Sequence, residues 1–179
     1  DVASGALTLD APMVQSLDAT YGGATVTKAT EARITRVGIE HLRVNSTYDA
    51  NVVACCGYNV GNHSADEDHA WTAVELSNVA DAFVRGVACE HLGFSCVHAR
   101  STSKAVTVEN CTSVDPVSLI YGGRRYPFNL DGQRALVRRC TSDLGRHAFI
   151  TGSKTAGPNV FTRCASTNDQ SAIGPHHRW

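Results

Sequence analysis

Four lines of the sequence share a pattern and a cysteine. "DAFVRGVACEHL", "SKAVTVENCTSV", "QRALVRRCTSD" and "NVFTRCAST" align on Cys89, Cys111, Cys140 and Cys164, at steps of 22, 29 and 24 residues. Ile39-Glu40-His41-Leu42 returns as Cys89-Glu90-His91-Leu92. A second series follows each cysteine: "SCVHA" around Cys96, "SLIYG" around Leu119, "AFITG" around Ile150 and "SAIGP" around Ile173, at steps of 23, 31 and 23. In each line apolar and polar residues alternate with period two over a few positions, which suits a short strand and excludes a helical repeat. Units of two short strands with polar or glycine corners bury nothing alone. They fold only by stacking, as a solenoid of strands in which each coil lies about 4.8 Å above the last and like side chains form ladders.

With "VTVENCTS" placing Asn110 where a coil corner falls, the repeat resembles the pectin-lyase-like right-handed parallel β-helix superfamily from about Arg33 to Trp179. Members of that superfamily often stack an asparagine at such a corner. The resemblance implies an all-β fold, a right-handed parallel β-helix of about five to seven coils with long loop insertions. Residues 1–179 then form one β-helix domain, with regular coils over about 33–179 and less regular N-terminal strands over 1–32. The chain opens on Asp1 without a leader-like segment and stops after Gly-Pro-His-His-Arg, and is read as a processed chain or a piece of a longer one. The superfamily contains secreted polysaccharide lyases, glycoside hydrolases, sugar-binding fibres and non-catalytic wall proteins.

Composition narrows the partners. Lys+Arg 16 against Asp+Glu 17 leaves a net charge of -1, so no overall basic field argues for nucleic acid, and no apolar run is long enough to span a membrane. Recognition by charge has to be local. Seven cysteines without a Cys-x-x-Cys pair fit an oxidising compartment better than a zinc ribbon. Three sequons, at Asn45, Asn62 and Asn110, agree with an extracellular, secreted glycoprotein. Of the three, Asn62 is the expected glycan carrier, because a stacked corner would engage Asn110. The four aligned cysteines are expected on one inward ladder, mostly as unbonded thiols.

Both series take their long step across "IYGGRRYPFNLDGQ", residues 120–133. The stretch reads as an insertion into one coil, and inserted loops of a solenoid gather on a binding face. Arg124 and Arg125 supply planar donors suited to carboxylates or sulfates. Tyr126, Asn129 and Asp131 add a phenol, an amide and an acid. Arg146 and His147 follow one coil on, and His176, His177 and Arg178 one further. As substrate-binding residues the expectation names Arg124, Arg125, Asn129, Asp131, Arg146, His176, His177 and Arg178. Against it, Asp131-Gly132 reads equally as a turn, Arg138-Arg139 and Lys154 as solvated edges, and His147 as a structural histidine. No metal or cofactor is required. The acidic run from Asp66 to Trp71, beside Cys55-Cys56, suits calcium or else a solvated loop.

Two functional classes stay open. In one, the protein recognises an acidic, uronate-type polysaccharide and is a polysaccharide lyase if it is an enzyme at all. Arginines would neutralise the C6 carboxylate, His147 would take the C5 proton, and Tyr126 would protonate the leaving oxygen. Hydrolysis is the poorer fit, because the region lacks paired carboxylates. The Asp-Asp and Gly-His-Gly motifs of β-helical polygalacturonases and the Arg-x-Pro-x-x-Arg pattern of pectate lyases are absent. In the other class the chain is a non-catalytic structural glycoprotein of a wall, matrix or filament, associating with itself or with other extracellular proteins.

Overall fold

The computed structural model describes residues 2–3, 6–9, 12–14, 16–28, 32–55 and 61–170. Its regular part is all-β and built from three parallel sheets. The first contains Thr72–Leu76, Ser95–Ala99, Phe128–Leu130 and Phe149–Thr151. The second runs through Ile34–Thr35, Val79–Arg85, Lys104–Glu109, Leu136–Arg138 and Val160–Thr162, with Gly38–Glu40 also paired to Val79–Arg85. The third contains Arg43–Asn45, Ala88–Glu90, Thr112–Val114, Thr141–Asp143 and Ala165–Thr167. From Thr72 onward the chain visits first, second and third sheet in that order four times, each visit adding a parallel strand beside the previous one. Before Ile34 the described residues form a two-stranded antiparallel pair, Val2–Ala3 with Ala6–Leu7, and a 3-10 turn at Ala19–Tyr21.

The register explains the sequence periodicity and corrects part of it. Backbone bonds from Ala88, Thr112, Thr141 and Ala165 to the carbonyls of Leu42, Val87, Cys111 and Cys140 define one interior column, Leu42, Val87, Cys111, Cys140 and Cys164. Cys89 is not in it. Cys89 pairs with Val44 on one side and Ser113 on the other, and so belongs to a second column continued by Ser142. The "IEHL" and "CEHL" lines are therefore out of step, since Ile39 and Glu40 pair with Val84 and Arg85 on a different sheet. Cys89 instead bonds to Cys96, joining the third sheet to the first (Cα–Cα 5.7 Å), while Cys111, Cys140 and Cys164 are free thiols. Cys55 is also disulfide-bonded.

A second shift concerns the insertion. The partner of Val97 is Phe128 and the partner of Phe128 is Phe149, so the strand of that triplet is Phe128–Leu130, and Leu119 lies in the loop before it. Asn129 and Asp131 thus belong to a sheet strand and the bend after it. The other long excursion, between Asn45 and Thr72, carries an antiparallel pair of its own, Val53–Ala54 with His63–Ser64.

The space between the sheets is filled by Val74, Val97, Phe128 and Leu130 from the first, Val84, Val108 and Val137 from the second, and Val87, Cys111 and Cys140, each just before a strand of the third. Phe128 stacks on Phe149 one strand on. Chain direction changes at residues in the left-handed region, and these recur in columns: His41, Gly86, Asn110, Arg139 and Arg163 in one, Arg36, Asp81, Ala105 and Arg134 in another. Asn110 is thus at a corner, yet its column neighbours are glycine and arginine, and no asparagine stack forms. Asn45, Asn62 and Asn110 are all exposed. Asn45 differs from the other two in donating from Nδ2 to Glu90 Oε2 at 2.6 Å.

Candidate functional site

Alternation along a strand sends every second side chain outward, and on the first sheet the outward line is polar: Glu75, His98 and Asn129 lie side by side on successive strands, with Ile150 next. His98 is only 3% exposed. Its Nε2 lies 2.7 Å from Asp131 Oδ2. A carboxylate can only accept, so Nε2 carries a hydrogen, while Nδ1 faces Glu75 Oε2, 3.7 Å away, without a hydrogen bond. Asp131 is held from two more directions, by Asn129 Nδ2 on Oδ2 (3.3 Å) and the Gly152 amide on Oδ1 (3.0 Å). Asn129 Oδ1 is shielded from water and has no donor.

Above this floor opens a cleft of about 620 Å³. Tyr126, Asn129 and Asp131 line it together with the hydroxyls of Ser77, Ser101, Thr102 and Ser153, and Arg100 and Lys154 stand exposed at its rim. Arg100 Nε is 3.5 Å from Glu75 Oε1. The aromatic lining of the cleft is the Tyr126 ring, which is packed in turn by rings outside the cleft. Trp71 stacks on Phe94, Phe94 meets both His98 (5.2 Å) and Tyr126 (5.6 Å), and Tyr126 meets His147 (5.2 Å).

The residues singled out from the sequence divide into groups. Tyr126, Asn129 and Asp131 line the cleft. Arg146 and His147 stand behind Tyr126: Arg146 Nη1 donates to the Tyr126 hydroxyl (3.1 Å) and to the Gly122 carbonyl, and its guanidinium lies over the ring. The Tyr126 hydroxyl in turn donates to Gly122 O (3.0 Å). Arg124 turns away to a bidentate pair with Glu67, Nη2 to Oε2 at 2.9 Å. That guanidinium holds the Glu67 carboxyl below its ordinary range. Arg125 is 3% exposed and spans the interior, bonding the carbonyls of Ser118 and Ser64 and the side chain of Gln170. Burial draws its pKa down to about 10, which leaves it cationic at neutral pH, and its partners make it a strut between loops. His176, His177 and Arg178 lie outside the described residues.

In the acidic run, Asp66 accepts from the amides of Asp49 (2.8 Å) and Asp68 (2.9 Å), bonds that lower its pKa, and Glu67 is committed to Arg124. Among the described residues no group of three or more His, Cys, Asp and Glu side chains is arranged to hold a metal ion.

Sequence reasoning missed His98, Arg100 and Lys154. His98 had a readable signal, a lone polar residue in "SCVHA" at the place that Asn129 takes in "FNL", but the misplacement of the strand at Leu119 hid the correspondence. No family model, curated protein or solved structure matches the chain.

Proposed function

We propose that the three parallel sheets are the faces of a right-handed parallel β-helix, and that the chain is an extracellular protein whose first-sheet cleft recognises an acidic, uronate-type polysaccharide. One observation carries this reading: the cleft on the outer face of the first sheet combines the Tyr126 ring, the fixed carboxylate of Asp131, several hydroxyls and two exposed cations. A pyranose ring offers an apolar face to an aromatic such as Tyr126 and ring hydroxyls to an acceptor such as Asp131. Arg100 and Lys154 would meet the carboxylate of the sugar.

Cleavage, on this proposal, is a β-elimination: the C5 proton leaves to a base, the C4–O bond breaks, a C4=C5 double bond forms and the leaving oxygen gains a proton. Tyr126, which lines the cleft, is the proton donor; His147 is assigned as the base and, packed behind the Tyr126 ring at 5.2 Å, has to turn toward the sugar to act. Arg146 on the phenol oxygen would stabilise the phenolate left behind. The test is incubation with a panel of uronate polymers, following binding calorimetrically and unsaturated ends by ultraviolet absorbance. Binding without absorbance leaves a recognition module; no binding to any uronate polymer overturns the reading.

A structural module is the second reading, and it too has its own observation. Interior-facing positions are exposed where the stack begins, with Ile34 at 62% and Leu42 at 41%. Apolar ends of stacked strands favour end-to-end association. Sedimentation of the full chain over a range of concentrations separates it, since a monomer at all concentrations removes the reason for it.

A further inference from the structure

The outer face of the second sheet carries a row of charges that its register makes alternate. Glu40, Arg85, Glu109 and Arg138 follow one another on successive strands. Arg85 Nε donates to Glu40 Oε2 (3.1 Å) and Arg138 Nη2 to Glu109 Oε2 (2.8 Å). Where the row calls for the next carboxylate, the following strand supplies Thr162. Positive charge gathers at this break. Arg139, in its left-handed corner, places Nη1 3.1 Å from Glu109 Oε1, and Arg163, one corner further, is exposed and faces no carboxylate among the described residues. Two guanidiniums thus share one acid, and a third stands beside them with none among the described residues. With Leu136 and Thr162 they line a cleft of about 290 Å³. Arg138 Nε, shielded from water, has no acceptor.

We infer that this cleft is an oxyanion site, separate from the first-sheet cleft, that takes a sulfate or phosphate group. A tetrahedral oxyanion turns three oxygens toward its surroundings, one for each of Arg138, Arg139 and Arg163, whereas a carboxylate has two. Glu109 orients two of the arginines and lowers the repulsion among the three without cancelling their charge. Thr162, whose neighbour Arg138 has its carboxylate on the other side, supplies a short polar side chain in place of a competing acid.

The test is calorimetric titration of the full chain at low salt with inorganic sulfate, inorganic phosphate, a sulfated oligosaccharide and an unsulfated uronate oligosaccharide. Arg139→Asn with Arg163→Asn removes two of the three cations, and asparagine accepts the left-handed backbone of both corners. Sulfated saccharide should bind the wild type and bind the double variant at least tenfold more weakly, with thermal midpoint unchanged. Arg163→Asn alone, at a residue with no ionic partner among the described residues, should weaken binding about threefold. Saccharide binding tighter than the free ions marks an ester as the ligand, and equal binding marks the ion itself. The inference is overturned by no sulfate or phosphate binding in the wild type, by equal affinity in Arg163→Asn, or by an equal loss in the control Arg43→Asn on the third sheet.

Discussion

Asp131 shows how a single side chain is placed by the chain around it. Three donors, His98 Nε2, Asn129 Nδ2 and the Gly152 amide, leave its carboxylate one orientation, facing the cleft. Gly152 also yields space, since a Cβ there would overlap Asp131 Oδ1. Gly152→Ala should therefore tilt the carboxylate off His98 and cut saccharide affinity at least tenfold while lowering stability by only about 1 kcal/mol, measured by calorimetry and urea unfolding. Two other acids have opposite dependence on pH. The Arg124 guanidinium holds Glu67 below 4.5, so its contribution is complete above that value and is lost as pH falls through the lowered folded pKa. Asp169 is shifted the other way, above 3.8, because burial disfavours its charge. Its ionisation costs stability as pH rises through the raised folded pKa. Arg124→Gln should then be less stable than wild type at pH 7 and nearly equal at pH 3, and Asp169→Asn more stable at pH 7 and nearly equal at pH 3. Urea midpoints at the two pH values check both, and a shift of either variant in the reverse sense refutes the assignment.

At the scale of strands and corners, the columns of left-handed residues set the period. A residue with a Cβ in that region costs roughly 1 kcal/mol, and the two columns hold arginine, histidine, aspartate or alanine at seven positions against glycine or asparagine at two. Ala105 has φ 55° and keeps its backbone amide on the Gln133 carbonyl, so glycine fits there without loss of a contact. Ala105→Gly should raise the unfolding free energy by about 0.5–1 kcal/mol, against the usual sense of an alanine-to-glycine change in a strand. Gly86→Ala, in the other column with His41 Nδ1 close by, should lower it. The same columns explain what could be read from the sequence and what could not. Cys111, Cys140 and Cys164 each follow a left-handed corner and precede a third-sheet strand, and their ladder was legible because identical residues recur at one phase. Cys89 was misassigned because "EHL" repeats by coincidence in two different phases, and sequence similarity over four residues cannot tell an out-of-step match from a register. Asn129 and Asp131 stood out as polar residues in an apolar neighbourhood. Arg125 stood out for the same reason, yet it is an interior strut, because a loop's carbonyls need donors as much as a ligand does.

Across the whole molecule, each strand gains its hydrogen bonds and most of its apolar contacts from the strands directly beside it, so stability depends on position along the stack. The middle strands have neighbours on both sides. Val84, Val97, Val108, Cys111, Phe128 and Val137 are fully enclosed, and the disulfide between Cys89 and Cys96 fastens the third sheet to the first at this level. A loop closed across a sequence separation of 7 is worth roughly 2–3 kcal/mol through the unfolded chain. At the edges the enclosure fails: Gly38–Glu40 and Ala165–Thr167 are exposed at every position. Local opening should therefore begin at the ends and reach the centre last. In hydrogen exchange at neutral pH the amides of 79–85, 95–99 and 104–109 should be the slowest, and those of 34–45 and 160–167 faster by two or more orders of magnitude. Reducing the disulfide, or replacing Cys89 and Cys96 by serine, should speed exchange in 88–99 most. Uniform protection from 34 to 167 would instead mean that the stack opens only as one unit, and that something beyond neighbouring strands, such as a partner seated on the exposed Ile34, Leu42 or Val160, holds its ends closed.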